Sequence, residues 1–266
     1  MGALEISILA CLQGITEFLP VSSSGHLRAA AEILGIQGST LAIDVSLHVG
    51  TLFAVIIYFL KDITKILSGL IMLLGGRNNE DALLGIYVGI ATIPIFFVGL
   101  MGREFIDGNL RGLEVVGWMS IVFGILLLWA DRYGMRIQKL RHLKLSDSLI
   151  IGVAEIFALI PGTSRAGVTI TAARALGFER SEAARFSMLL SIPAVAGAGF
   201  LVFVDLLNSN SNFAWTGAIV AGVLAFLTAL GAIHLLMRWL RTASFLPFIV
   251  YRLFMGGAIL VWIYWA

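Results

Sequence analysis

Six stretches, at about 41–60, 83–102, 113–130, 183–207, 214–240 and 245–265, are apolar with few charges. Each approaches or exceeds the roughly 20 residues that cross the hydrocarbon of a bilayer. Of 266 residues 59% are hydrophobic and only 13% charged, where a soluble domain carries about 25% charge. The chain is therefore read as an all-α, polytopic membrane protein. It forms one integral membrane domain over 1–266 rather than two soluble domains. The net charge is only +2, and the basic residues cluster in loops. That pattern concerns topology and membrane lipids as partners, and gives no sign of nucleic acid.

Two further segments are apolar but too short or too broken to span. The first runs from residue 4 to 19, is interrupted by Gln13, Gly14 and Glu17, and stops at Pro20. A Val21-Ser22-Ser23-Ser24-Gly25 turn and a second short helix, about 26–36, follow. The second runs from 149 to 160, stops at Pro161, turns through Gly162-Thr163-Ser164-Arg165-Ala166-Gly167 and continues to about 176. Broken backbone at membrane depth is tolerated only where protein buries it or a wet cavity receives it. Both segments thus read as re-entrant helical hairpins.

The order of short helix, turn, short helix and three spans occurs twice. Repeat 1 covers about 1–130 and repeat 2 about 146–266. Thin identities, Pro20 with Pro161 and Ser23 with Ser164 among them, suggest an offset of 141 residues. Three spans per half is an odd number, so the halves should insert with opposite orientation. The charges agree. Lys61, Lys65, Arg77, the basic loop 132–144, Arg174, Arg180, Arg185, Arg238 and Arg241 fall on one side. Arg28, Arg103 and Arg111 fall on the other, with the uncharged loop 208–212. The first group is cytoplasmic by the positive-inside rule. The expected architecture is an inverted-topology repeat of six full spans plus two re-entrant hairpins, whose tips meet near the midplane.

The tips carry the chemistry. Gln13 and Glu17 are four apart and share a helix face. A carboxylate in a membrane segment costs roughly 2.5–3.5 kcal/mol, which favours a wet site over a merely structural position. Ser22, Ser23 and Ser24 precede a helix start, where hydroxyls and free N–H groups form an anion cradle. One serine suffices as a cap, leaving the others for phosphate binding or nucleophilic attack. His26 beside them can transfer protons or orient a serine. In the second tip, Arg165 lies far from the basic loops and needs an anionic partner, either Glu17 or a phosphate. Thr163, Ser164 and Thr169 add hydroxyls. This is a kit for breaking or moving a lipid-borne phosphate ester, with a divalent metal as a common helper. Asp44 and His48 share another helix face and serve either the cavity or core hydrogen bonding. Arg252, near the end of the last span, is expected to snorkel.

At these residues the chain resembles the undecaprenyl-diphosphate phosphatase family, the bacitracin-resistance membrane proteins. The first family motif appears as Gln13, Glu17, Pro20, Val21, Ser22, Ser23, Ser24, Gly25 and His26. The second appears as Pro161, Gly162, Thr163, Ser164, Arg165, Ala166, Gly167, Val168 and Thr169. The resemblance implies hydrolysis of the terminal phosphate of a polyprenyl diphosphate lipid, recycling the carrier for cell-wall synthesis. It implies a bacterial inner-membrane enzyme with its site open to the external face and a divalent cation, Mg²⁺ or Ca²⁺, as cofactor.

By position the resemblance makes Glu17 the metal or acid/base carboxylate and Arg165 the diphosphate clamp. Ser23 and His26 become nucleophile or proton-transfer candidates alongside a metal-bound water. Gln13, Ser22, Ser24, Thr163, Ser164 and Thr169 bind substrate. Two departures stand out. Gln13 replaces a glutamate that many members have, and Ala166 replaces a common serine. A homodimer is left open. The rival reading, from the repeat and the broken helices, is a polyprenyl-phosphate transporter or flippase.

Overall fold

The computed structural model describes residues 2–33, 41–77, 79–208 and 215–265. Within them the regular structure is all helical, joined by turns, apart from one isolated bridge between Gln138 and Phe178. Five helices are each long and apolar enough to cross a membrane: α5 (Glu80–Met101), α7 (Leu113–Tyr133), α10 (Arg180–Asn208), α11 (Trp215–Trp239) and α12 (Leu246–Trp265). The chain is a multi-pass membrane protein. The end of the second short helix beyond residue 33, and most of the loop 208–212, lie outside the described residues.

The first expected span, 41–60, ends at a sharp break: helix α3 (Leu41–Tyr58) bends by 75° into α4 (Leu60–Leu74). The break is at Phe59, whose φ of −98° and ψ of 22° leave the helical region. The reason lies in the contacts of α4. Its Gly69 packs backbone to backbone on α5, where a Cβ would lie 2.7 Å from the Ala82 nitrogen. Its Asp62 pairs with Arg185 of α10. A straight continuation of α3 would forfeit both contacts.

The two broken segments form two helix pairs. Helices α1 (Ala3–Thr16) and α2 (Ser23–Ile33) flank the first turn. Helices α8 (Leu145–Glu155) and α9 (Arg165–Ala175) flank the second, which opens with a 3₁₀ turn over Ile156–Leu159. A short helix α6 (Arg103–Asn109) links α5 to α7. The starts of α1 and α8, and of α2 and α9, are both 142 residues apart (145 less 3; 165 less 23). Each turn also ends on a serine in the left-handed region, Ser22 at φ 74° and Ser164 at φ 68°. They are the sole non-glycine residues with positive φ among those described. Such a conformation costs about 1–2 kcal/mol for a residue with a Cβ, so its presence in both turns signals a shared local structure. The backbone spacing differs by one residue from the offset of 141 that the identities suggested.

Helix contacts rely on small residues, as expected where lipid is as apolar as leucine. Helix α3 packs on α11 so closely that a Cβ on Gly50 would sit 2.2 Å from the Gly222 carbonyl oxygen. In the second turn Gly162 takes φ 94° and presses on α7, where a Cβ would meet the Val116 oxygen at 2.5 Å. Only glycine meets both demands.

Arg252 on α12 ties these parts together. It does not snorkel; it is fully buried. Its guanidinium donates to the carbonyls of Gly162 at 2.9 Å and Thr163 at 2.8 Å in the second turn. It also reaches Pro20 of the first turn at 3.4 Å, and Ser120 and Met119 of α7 at 3.2 and 3.3 Å. The buried turns have carbonyls that no helix ladder satisfies, and this side chain supplies the donors. At the other end of α9, buried Arg174 and Arg180 share the Asp131 carboxylate of α7, at 3.2 and 2.6 Å. Arg174, counted in the sequence as a loop cation, is thus a core residue.

Replacing Arg252 with methionine leaves these carbonyls without a donor. The expected loss is about 3 kcal/mol or more of stability, seen as a lower thermal midpoint in detergent. Arg252→Lys should fall nearly as far, because an ammonium lacks the planar fork. Unchanged midpoints in both variants would refute the clamp.

Candidate active site

The turn after α1 delivers Glu17, and the start of α9 delivers Arg165. They meet as a mostly buried ion pair, Arg165 Nη2 to Glu17 Oε1 at 3.0 Å. The other carboxylate oxygen, Oε2, accepts from Gln13 Nε2 at 2.9 Å and from the Ser23 hydroxyl at 2.7 Å. Gln13 reaches it from one helical turn away on the same face of α1. Ser23 reaches it because α2 begins there, just past the left-handed Ser22. The turn is braced by its own groups. The Ser22 carbonyl accepts from the His26 backbone N–H at 3.2 Å and from its Nδ1 at 2.7 Å. The Ser22 hydroxyl accepts from Gly25 N–H at 3.3 Å, a helix cap. Opposite, the Ser164 hydroxyl caps α9 by accepting from Gly167 N–H at 3.1 Å.

These groups border a cavity of about 210 Å³ lined by Glu17, Ser22, Ser23, Ser24, Ser164 and Arg165. Its apolar wall comes from Ile95, Ala158, Leu159, Ala194, Val195 and Ala198, and its remaining polar side chain is His48 of α3. The structure thus brings together seven of the ten expected site residues, counting Gln13 just behind Glu17.

Three are elsewhere. His26 faces away, stacked on Tyr251 of α12 with ring centroids 5.4 Å apart. Its Nε2 meets the Tyr251 hydroxyl at 2.5 Å, and it lines a separate apolar groove. Since Nδ1 donates to a carbonyl, Nε2 accepts the phenol proton. Thr169 is buried against α10, its hydroxyl 2.7 Å from that of Ser187. Thr163 is fully buried and does not line the cavity.

The histidine that does line the cavity is His48. Its Nδ1 donates to the Asp44 carbonyl at 2.8 Å, which leaves the Nε2 lone pair for other uses. The shared face of Asp44 and His48 was visible in the sequence, but not which way it turned.

A second group went unnoticed in the sequence. Glu155, the last residue of α8, is fully buried, and neither carboxylate oxygen has a hydrogen-bond partner. The Arg165 guanidinium is the charge whose field reaches it. Glu155 stands 142 residues after Gln13, the spacing of the two turns. Its signal was the same as that of Glu17, a carboxylate in a short apolar helix just before a proline turn.

Among the described residues, the buried side-chain atoms without a partner are Gln13 Oε1, both Glu155 oxygens, Thr163 Oγ1 and Arg165 Nη1. All belong to the two hairpins. Leaving such atoms unsatisfied costs about 1–3 kcal/mol each, and of these residues Arg165 lines the cavity. No trio of His, Cys, Asp or Glu among the described residues is placed to hold a metal ion alone.

The chain resembles known proteins along its whole length. It matches the family described as bacitracin resistance protein BacA over residues 6–258. It is 42% identical over 267 residues to an undecaprenyl-diphosphatase of Alteromonas mediterranea, covering 100% of both chains. Proteins of the same name from Hahella chejuensis and Alcanivorax borkumensis are 44% and 45% identical, covering 99% of this chain and 99% and 100% of theirs. Full-length similarity at this level, joined to the paired motifs around Glu17 and Arg165, makes the chain a member of the BacA family of bacitracin resistance proteins.

Proposed function

We propose that this chain is an undecaprenyl-diphosphate phosphatase that hydrolyses the terminal phosphate of the lipid to give the monophosphate, and that Ser23 is its nucleophile. The observation that carries the mechanism is the hydrogen bond from the Ser23 hydroxyl to Glu17 Oε2 at 2.7 Å. A serine donating to a carboxylate is already aligned for general-base activation. Ser23 Oγ attacks the terminal phosphorus and its proton passes to Glu17. The bond from phosphorus to the bridging oxygen breaks, and polyprenyl monophosphate leaves. Glu17 passes its proton to the departing monophosphate, takes one from the water that attacks the phosphoserine, and delivers it to Ser23 Oγ as inorganic phosphate leaves.

Arg165 has two duties. Nη2 holds the Glu17 carboxylate in place, and Nη1, buried without a partner, is available to an equatorial phosphate oxygen. His26 braces the turn through the Ser22 carbonyl and Tyr251. The transporter alternative gains nothing from the relatives, each named for phosphatase activity.

The charges ask for a cation. Glu17 and Arg165 already neutralise one another, so a diphosphate enters the cavity with its negative charge unmatched. Gln13 Oε1 is a buried oxygen without a donor, next to Glu17. Oxygen donors of this kind suit Mg²⁺ or Ca²⁺, with the missing ligands drawn from phosphate and water. Glu17 and Gln13 would hold the ion, which neutralises charge on the phosphate oxygens.

The two positive-φ serines and the 142-residue spacing support an inverted repeat with re-entrant hairpins. With the basic loops inside, the protein sits in the bacterial inner membrane and its site opens to the external face.

Ser23→Ala should lower phosphate release by about 10³-fold or more, and Arg165→Ala by about 10²–10³-fold. Both are read with a polyprenyl diphosphate in detergent. Acid-quenched wild type should carry a phosphoryl group that the Ser23 variant lacks. Substantial turnover by Ser23→Ala would transfer the attack to water.

Chelation of divalent ions should stop release. Gln13→Glu adds an anionic ligand and should lower the half-saturating Mg²⁺ concentration by roughly tenfold. An unaltered Mg²⁺ requirement would place the ion elsewhere.

A further inference from the structure

We infer that the hydrocarbon tail of the substrate leaves the site past His48 and lies in a lateral groove between α3, α10 and α11. The inference rests on the phosphatase reading, which puts a long-chain prenyl diphosphate head at Glu17 and Arg165. Two cavities continue from the polar one in series. The first, about 230 Å³, shares His48 and Val195 with it and is otherwise apolar. The second, about 820 Å³, shares Val45, Val49 and Phe203 with the first. The three cavities therefore adjoin in series, from the Glu17 carboxylate past His48 and Val195 to the lipid-facing side.

The helices are patterned for it. On α3 the lining residues Val45, Val49, Phe53 and Ile57 recur at intervals of four and form one stripe. They extend about 18 Å along the helix axis, over half of the roughly 30 Å of hydrocarbon. Facing stripes come from Phe203 and Leu206 of α10 and from Ile219 and Val223 of α11. The close α3–α11 crossing at Gly50 and Gly222 makes the floor. The other side is open, with Phe53 55% and Ile219 61% exposed. A long tail can thus lay its first units in the groove and the remainder in the bilayer.

The alternatives are worse matched. A cavity of about 290 Å³ also adjoins the polar one, sharing Ile95, Leu159, Ala194 and Ala198. It ends on Arg103 and Arg111, which suits water and departing phosphate rather than hydrocarbon. The groove of about 420 Å³ beside His26 and Tyr251 is apolar but shares no lining residue with the polar cavity.

Gly199 offers the test, because it lines the neck and a Cβ there meets only the His48 Cβ, at 3.8 Å. Gly199→Leu narrows the path without a backbone clash. Phosphate release is compared on a C55 polyprenyl diphosphate and on C10 geranyl diphosphate. Gly199→Leu and Val49→Trp should each lower kcat/KM for the long substrate by about tenfold or more, the equivalent of two methylene contacts. The short substrate should change less than about twofold. Equal losses on both substrates, or no loss on either, would overturn the tail path.

Photo-crosslinking with a diazirine-tailed polyprenyl phosphate gives an independent reading in wild type. Label in peptides of α3, α10 and α11 supports the path, and label confined to α12 around Phe254 refutes it. Wild type inactive on both diphosphates would instead sink the phosphatase reading, leaving the crosslinks to decide the groove.

Discussion

Five backbone carbonyls converge on the guanidinium of Arg252, and the site depends on that convergence. The two turns that carry Glu17 and Arg165 are irregular, and irregular backbone has no internal partners to offer its own polar groups. In water such turns would be solvated. Buried in the protein, they need donors from it. One fully buried side chain from the last helix contacts Pro20, Gly162 and Thr163 at once, so the same group that satisfies the turns also fixes their separation. Arginine suits the task because its donors point in several directions from one rigid plane. The left-handed Ser22 and Ser164 are tolerable within such a frame, since neighbouring contacts over-determine them.

The candidate site builds on that frame with opposite charges. Glu17 is held by three donors, from Gln13, Ser23 and Arg165. It stays an acceptor that a serine hydroxyl can address. Arg165 is only half used, its second terminal nitrogen buried without a partner. Glu155 adds a further acid behind the turn, at the position equivalent in spacing to Gln13. The two hairpins share a backbone plan but divide the chemistry unequally. One supplies the carboxylate and hydroxyl, the other the cation.

Much of this was legible in the amino-acid order because membrane insertion makes charge expensive. Glu17 and Arg165 stood out by that cost alone, while the sequence left open whether Arg165 meets Glu17 or a phosphate, and the structure pairs it with Glu17. The five long helices were readable from apolar length. What escaped has a common cause, namely direction. His26 and His48 are both histidines within reach of the same turns, and only packing decides that His48 faces the cavity while His26 turns to Tyr251. Arg252 read as a snorkelling residue because its distance from the span's end says nothing about which neighbour it faces. The bend between α3 and α4 depends on contacts of Gly69 and Asp62 that lie on other helices.

On the proposed tail path, the open side of the groove between α3, α10 and α11 changes what concentration means for this protein. Molecules that arrive through it travel within the leaflet, not through water. Their encounter frequency follows the number per unit area of membrane. Enlarging the bilayer or micelle pool at constant total lipid substrate dilutes that surface density. Turnover would then slow although nothing in bulk solution had changed, and the cell could regulate flux simply through the abundance of the carrier in its membrane.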